Sequence, residues 1–224
     1  MELRSSEERS TELRELETVA LQCTACDLAS GRTHVVFGSG DPDADVMFVG
    51  EGPGKREDEQ GLPFVGPSGN LLDQLLGEIG LERSAVYIAN VVKCRPPGNR
   101  DPRPAEIGAC KGYLRSQIVL VDPKVVVTLG NFAAKLLLRT EVGITRLRGR
   151  TYEWWGRFLV PTFHPAAALR GSASVLEAMR ADLGLVRDVI DGNLVVESPA
   201  EVEPPAAPVV PEAEQLGFFG GSAP

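Results

Sequence analysis

Carboxylates, an amide and an imidazole collect where apolar runs of this chain end. The run VMFVG, Val46–Gly50, suits a buried strand, and Glu51, Glu57, Asp58 and Glu59 follow it among many Gly and Pro residues. Gly52, Pro53, Gly54, Gly61, Pro63, Gly66, Pro67 and Gly69 make this stretch read as one ordered loop of about 17 residues, a length usually reserved for function. Phe64 and Val65 lie in its middle, which argues against a loop that only turns a corner. A second apolar run, VYIANVV, carries Asn90, and His164 stands directly after a third stretch with strand character. In α/β proteins, ligands bind outside the carboxyl ends of strands, where all three groups fall. Gly54-Lys55 hints at a phosphate cradle, but the P-loop pattern needs Gly at 49 and Ser or Thr at 56, where Val49 and Arg56 stand. His34, in a polar loop, reads as incidental.

The cysteines form a second constellation. Cys23-x2-Cys26 is a close pair of the kind metal sites use, and fifteen residues separate Cys94 from Cys110. Four thiolates complete a tetrahedral set for zinc or for an iron–sulfur cluster, and spacing does not choose between them. Such a site would fasten a basic loop, holding Arg95, Arg100 and Arg103, to the N-terminal helix and the sheet.

These groups need a frame. Residues 5–22 predict a surface helix, Val35-Val36-Phe37 a short strand, and Ser68 the cap of a helix bearing Leu71, Leu72, Leu75, Leu76 and Ile79. Pro104 opens a helix, residues 124–129 form a third strand, and another helix runs from Asn131 through Leu138. The segment YEWWGRFLVPTFHP contains the fourth strand, and Ser172 or Ser174 caps a last helix reaching about Ile190. Alternating strands and helices imply an α/β fold with a mainly parallel sheet covered on both faces.

Composition sets the limits. With 224 residues, 43% of them apolar, the chain can bury one sizeable core. We expect one domain over residues 1–196 and a disordered, acidic, Pro-rich tail over 197–224. No apolar run is long enough to span a membrane, and the first residues lack a secretory h-region, so a cytoplasmic location is expected. There the cysteines should be metal ligands rather than disulfides. The net charge of −8 looks wrong for a nucleic-acid binder, yet residues 1–196 hold 26 acidic against 23 basic side chains. Local patches, with Arg146 and Arg148 among the candidates, matter more than the sum.

Three stretches together, GEGPGKREDEQGLPFVGPSG, IANVVKCRPPGNRDPRPAEIGAC and FHPAAALR, resemble the family 4 uracil-DNA glycosylases, the iron–sulfur group of that superfamily. The likeness covers about residues 15–190, in the right order and with the four cysteines in register. It implies a three-layer α/β/α sandwich around a four-stranded, mainly parallel sheet. It also implies one structural 4Fe–4S cluster on Cys23, Cys26, Cys94 and Cys110, and excision of uracil from single- or double-stranded DNA by a monomer in the cytoplasm, at the nucleoid.

The residues suit that chemistry. Phe64 would stack on a flipped base, and Asn90 would pair with uracil O4 and N3–H. His164 would donate to O2 of the departing anion. In the best-known superfamily branch an Asp of the first motif serves as base, but the matching position here is Gly52. The resemblance points instead to Glu57 for the water, with Glu51 and Asp58 as further candidates for the catalytic carboxylate, and places Gly50, Glu51, Gly52 and Asp58 around the uracil. A relative that bonds covalently to uracil uses a His in an inserted loop, and residues 95–105 contain none, so hydrolysis is expected. Leu169 would act as wedge, and Arg170, Arg95 and Arg100 as phosphate contacts. The alternative is a non-catalytic, metal-stabilised nucleic-acid-binding module. A nucleotide-dependent enzyme is disfavoured by the failed P-loop.

In the tail, Gln215, Leu216, Phe218 and Phe219 resemble the short peptides by which bacterial repair proteins bind the sliding clamp. An acidic, disordered segment gains nothing by holding such side chains in water, so an apolar partner is expected. Deleting residues 198–224 should abolish clamp binding while melting temperature and excision rate stay unchanged. A lowered melting temperature, with no clamp affinity in the intact chain, would instead make these residues a latch on the core.

Overall fold

The computed structural model describes residues 5–171 and 173–193. The expected tail, with Gln215, Leu216, Phe218 and Phe219, lies outside the described residues.

Eight α-helices are described: α1 (Ser6–Leu21), α2 (Lys55–Gln60), α3 (Pro67–Glu78), α4 (Pro104–Val121), α5 (Asn131–Leu138), α6 (Ile144–Leu147), α7 (Pro165–Arg170) and α8 (Ala173–Ile190). They alternate with strands β1 (Ser39–Gly40), β2 (Val46–Gly50), β3 (Tyr87–Asn90), β4 (Val125–Leu129), β5 (Tyr152–Trp154) and β6 (Arg157–Thr162). The sheet order is β1-β3-β2-β4-β6-β5. Its centre, β3-β2-β4-β6, is parallel and supplies the four strands anticipated from the apolar runs. Short antiparallel strands β1 and β5 extend the two edges. The strand expected at Val35–Phe37 is not one: these residues are buried without strand pairing, and β1 begins at Ser39.

Strands β2, β3 and β4 are buried along their whole length, which explains why, Asn90 and Thr128 apart, they are apolar. Successive side chains serve two separate cores. Met47, Val49, Tyr87, Ala89 and Val126 pack with Leu13, Ala20, Cys110, Leu114 and Ala133 of α1, α4 and α5. Val46, Phe48, Ile88, Val125 and Val127 pack with Leu72, Leu75, Leu76, Met179, Leu183 and Val186 of α3 and α8. Helices on both faces give the three layers.

The stretch after β2 departs from the expectation of continuous loop, because α2 lies inside it. Gly61 ends that helix at φ 73°, a conformation other residues adopt only with strain. Ser68 does not cap α3: Gly66 takes that position and Pro67 sits in the first turn. Gly69 is obligatory for packing, since a Cβ there would collide with the carbonyl of Phe64. Ser174 lies inside α8, and Ser172 is outside the described residues.

Arg148, expected as a candidate charge for nucleic acid, is committed elsewhere. Its guanidinium grips Asp182 of α8 through Nε and Nη2 at 2.9 and 2.8 Å. Asp182 is fully buried and also accepts from Gly149 N–H at 2.9 Å and Thr162 Oγ1 at 2.7 Å. The carboxylate therefore ties α8 to the carboxyl end of β6, two residues before His164. Asp182→Ala strands a half-buried guanidinium and a buried hydroxyl, and should cost about 3 kcal/mol in urea denaturation, with Asp182→Asn losing less. Equal stability of Asp182→Ala and the parent chain would show that the network contributes nothing.

Candidate active site

Because β2 and β3 pair in parallel with Gly50 opposite Asn90, both residues face the α3 side of the sheet at its carboxyl edge. Phe64 comes down on the same point, buried and at φ 52°. A Cβ on Gly50 would strike the Asn90 amide oxygen and approach the Phe64 ring to 2.8 Å. Asn90 is 1% exposed and its Oδ1 has no hydrogen-bond partner. A buried, unpaired acceptor costs free energy unless something donates to it. This slot is therefore shaped for a flat ligand with an N–H.

His164 closes the slot from β6. Its ring lies 5.7 Å from that of Phe64, with 30° between the planes. As N-cap of α7, its Nδ1 accepts from Ala166 N–H at 3.1 Å. A neutral imidazole that accepts at Nδ1 carries its proton on Nε2. Burial pushes His164 down to about 4, Arg170 adds to that, and Glu57 opposes it. At neutral pH the ring is an uncharged Nε2–H donor.

Glu57 projects from the first turn of α2. Its Oε1 accepts from Val65 N–H and Gly66 N–H, each at 3.1 Å, and Oε2 lies beside Gly54. The two backbone donors fix the carboxylate and leave Oε2 available. Glu51 also borders the cleft; burial raises its carboxyl, with Asp101 adding to the effect. Its own carbonyl accepts from Val92 N–H at 3.1 Å, continuing the sheet ladder.

Asp58 does not belong to this group. It is buried on another side of α2, where Oδ1 accepts from Thr33 N–H at 2.9 Å. His34 Nδ1 meets the carbonyl of Asp58 at 2.9 Å, so this histidine helps fasten the same loop.

The slot opens into a cleft of about 1010 Å³ that crosses the ends of β2, β3, β4 and β6. Glu51, Gly52, Glu57, Phe64, Asn90 and His164 line it, as does Arg170. Gly50 forms the floor without lining the opening. Arg100 lines it too, but its guanidinium binds Glu106 at 2.9 and 2.5 Å, which offsets the charge it could offer a phosphate. Arg95 donates to Asn99 Oδ1 at 2.8 Å, and Leu169 stands 51% exposed on α7. The sequence reading missed the opposite wall, where Asn131, Phe132 and Lys135 of α5 reach the cleft. Its only signal was that α5 follows a parallel strand and so begins at the ligand-binding edge.

On the other face of the sheet, Cys23, Cys26, Cys94 and Cys110 line one small cavity with Arg32, Lys93 and Tyr113. Among the described residues no three such ligands converge on a single ion position, although all four thiols share this wall. Arg32 Nη1 donates to Cys94 Sγ and Lys93 N–H to Cys110 Sγ, each at 3.3 Å. Burial raises the Cys94 thiol and pushes Cys110 up to about 11. Four sulfurs on one wall are the donor set that a thiolate-ligated cluster takes.

The low His164 value has a sign that can be checked. The unfolded chain takes up this proton near ~6.5, the fold near about 4, so stability falls as pH drops through that window. In a His34→Gln variant the remaining imidazole should show no protonation step by NMR between about pH 5 and 8. A midpoint near ~6.5 would overturn the assignment of a desolvated donor.

A family model described as the uracil DNA glycosylase superfamily matches residues 37–183. The chain is 48% identical over 157 residues to a type-4 uracil-DNA glycosylase of Thermotoga maritima, covering 69% of this chain and 82% of that one. It is 47% identical over 167 residues to a type-4 uracil-DNA glycosylase of Sulfurisphaera tokodaii, covering 70% and 76%. A type-5 uracil-DNA glycosylase of Pyrobaculum aerophilum is more distant, at 31% over 170 residues, covering 65% of this chain and 75% of the relative.

Proposed function

The chain belongs to the type-4 uracil-DNA glycosylases of the uracil DNA glycosylase superfamily, and from that premise we propose how its cleft releases uracil from DNA. It is a DNA-repair hydrolase of N-glycosidic bonds, and the non-catalytic module is not favoured. The observation that carries the residue roles is the unpartnered Oδ1 of buried Asn90 beside Phe64.

A base within a duplex is out of reach, so deoxyuridine swings into the slot at a cost of a few kcal/mol. Phe64 stacks on its face, worth ~1–3 kcal/mol. Asn90 Oδ1 accepts from N3–H and its amide nitrogen donates to O4. Cytosine offers the reverse pattern and leaves both groups unpaired. Gly50 and Gly52 keep the floor open.

When the C1′–N1 bond breaks, its electron pair leaves with uracil and positive charge develops on the sugar. His164 Nε2–H donates to O2 of the anion, an effect of ~2.7–4 kcal/mol. Glu57 Oε2 orients the water that adds to C1′, accepts its proton and favours the cationic sugar, contributing roughly 10²–10⁴-fold. Leu169 fills the gap left by the flipped nucleotide, and Arg170 and Arg95 hold neighbouring phosphates, while Arg100 stays paired with Glu106.

Cys23, Cys26, Cys94 and Cys110 would hold one 4Fe–4S cluster, a structural group that joins α1, α4 and the loop after β3. No helix among the described residues is long and apolar enough to cross a membrane. We read the chain as a cytoplasmic monomer acting on single- or double-stranded DNA, with residues 1–196 as the glycosylase domain. Gln215, Leu216, Phe218 and Phe219 of the tail would dock on a sliding clamp.

Incubation with a uracil-containing oligonucleotide, then alkali, should cleave it at the uracil. Glu57→Ala and His164→Ala should each lower the single-turnover rate by about 100-fold or more while DNA binding persists. Near-native rates in Glu57→Ala, with loss in Glu51→Ala, would move the water to Glu51.

A further inference from the structure

One buried amine next to the slot has no part in the mechanism above. Lys93 is 2% exposed, although it stands at the head of a basic loop in the sequence. Its Nζ donates to the main-chain carbonyl of Asn90 at 2.7 Å and to Gln117 Oε1 at 2.5 Å. Gln117, itself fully buried on α4, donates to the carbonyl of Phe37 at 2.9 Å and to Tyr87 Oη at 3.2 Å. The Lys93 carbonyl accepts from Val36 N–H at 2.8 Å, and its N–H donates to Cys110 Sγ.

We propose that Lys93 is a positioning residue for uracil recognition, holding the Asn90 peptide so that its side chain meets the base, and tying that peptide to the cysteine cavity. The peptide after Asn90 is anchored from two sides. Val91 N–H and Val92 N–H still bond to Gly50 and Glu51, but the Asn90 carbonyl is held by the lysine three residues on. At 2.7 Å this is a short bond in a dry site, and no solvent is there to replace it. Without the lysine the Asn90 carbonyl would be a buried acceptor lacking a donor, and the end of β3 that carries the Asn90 side chain would lose one of its two anchors. The same residue bonds a cysteine sulfur through its N–H, so movement at the thiols reaches the base slot through a single residue.

This inference rests on Asn90 as the reader of uracil, and the test separates the two. Inhibition by free uracil is measured for the full chain, Asn90→Ala, Lys93→Met and the double variant, with iron per chain determined on each preparation. Lys93→Met should weaken uracil inhibition by about tenfold or more at full iron content, the scale of leaving one buried carbonyl without its donor. In the Asn90→Ala background the same change should add nothing, because the lysine acts only through Asn90. Additive losses, no loss, or a loss that tracks missing iron would overturn the proposal. Asn90→Ala with unchanged inhibition would overturn the reading of Asn90, and this inference with it. Should Lys93→Met not fold, Gln117→Leu, which frees Nζ from its second anchor, is carried through the same cycle with the same outcomes.

Discussion

The base slot exists because position 50 carries no side chain. Gly50 and Asn90 are register partners on adjacent parallel strands, and parity turns both toward the face that α3 covers. Any Cβ at 50 would meet the Asn90 amide oxygen and the Phe64 ring, so even alanine would fill the space the base needs. Phe64 reaches this point only because the first turn of α3 comes against its carbonyl, which Gly69 alone permits. Two glycines thus set the floor and one wall, and the ring and the amide follow from them. Energetically the slot stays unfilled at a cost, namely a buried acceptor without a donor, which substrate binding relieves.

The polar groups around the slot are held by backbone donors more than by one another. Glu57 takes two amide N–H groups and His164 takes one. Backbone groups lose no side-chain entropy when they bond, so the geometry is set before substrate arrives. Asp182 does similar work one layer out, binding Thr162 at the end of β6 and so fixing the approach to His164. For His164 a single bond serves two purposes, capping α7 and selecting the tautomer that donates.

The parallel strands were legible because strands buried on both faces are mostly apolar, as VMFVG is throughout and VVVTL is but for Thr128. Asn90 and His164 stood out because amide and imidazole are rare at strand ends, and the cysteines because four thiols, two of them a close pair, make a complete ligand set. Helix α2 was hidden by the glycines and prolines around it, although Lys55–Gln60 contains good helix formers. That miss carried a second one. Side chains on a helix diverge by about 100° per residue, so Glu57 and Asp58 face different surroundings, and a loop reading cannot tell them apart. Nor could composition separate an arginine free to meet phosphate from Arg148, locked onto a carboxylate 34 residues away. Lys93 escaped for the same reason, since its partners come from α4 and from the peptide it supports.

The edges of the sheet carry a consequence of another kind. A long open strand edge offers unpaired N–H and C=O groups to any neighbouring chain and invites aggregation. Here the outer strands are β1, of two residues, and β5, of three, both antiparallel to the buried core they border. Strands so short give an incoming chain little to register against. A protein whose central strands are among the most aggregation-prone of sequences, Val-rich and uncharged, thus keeps them two strands in from either edge and ends its sheet in fragments.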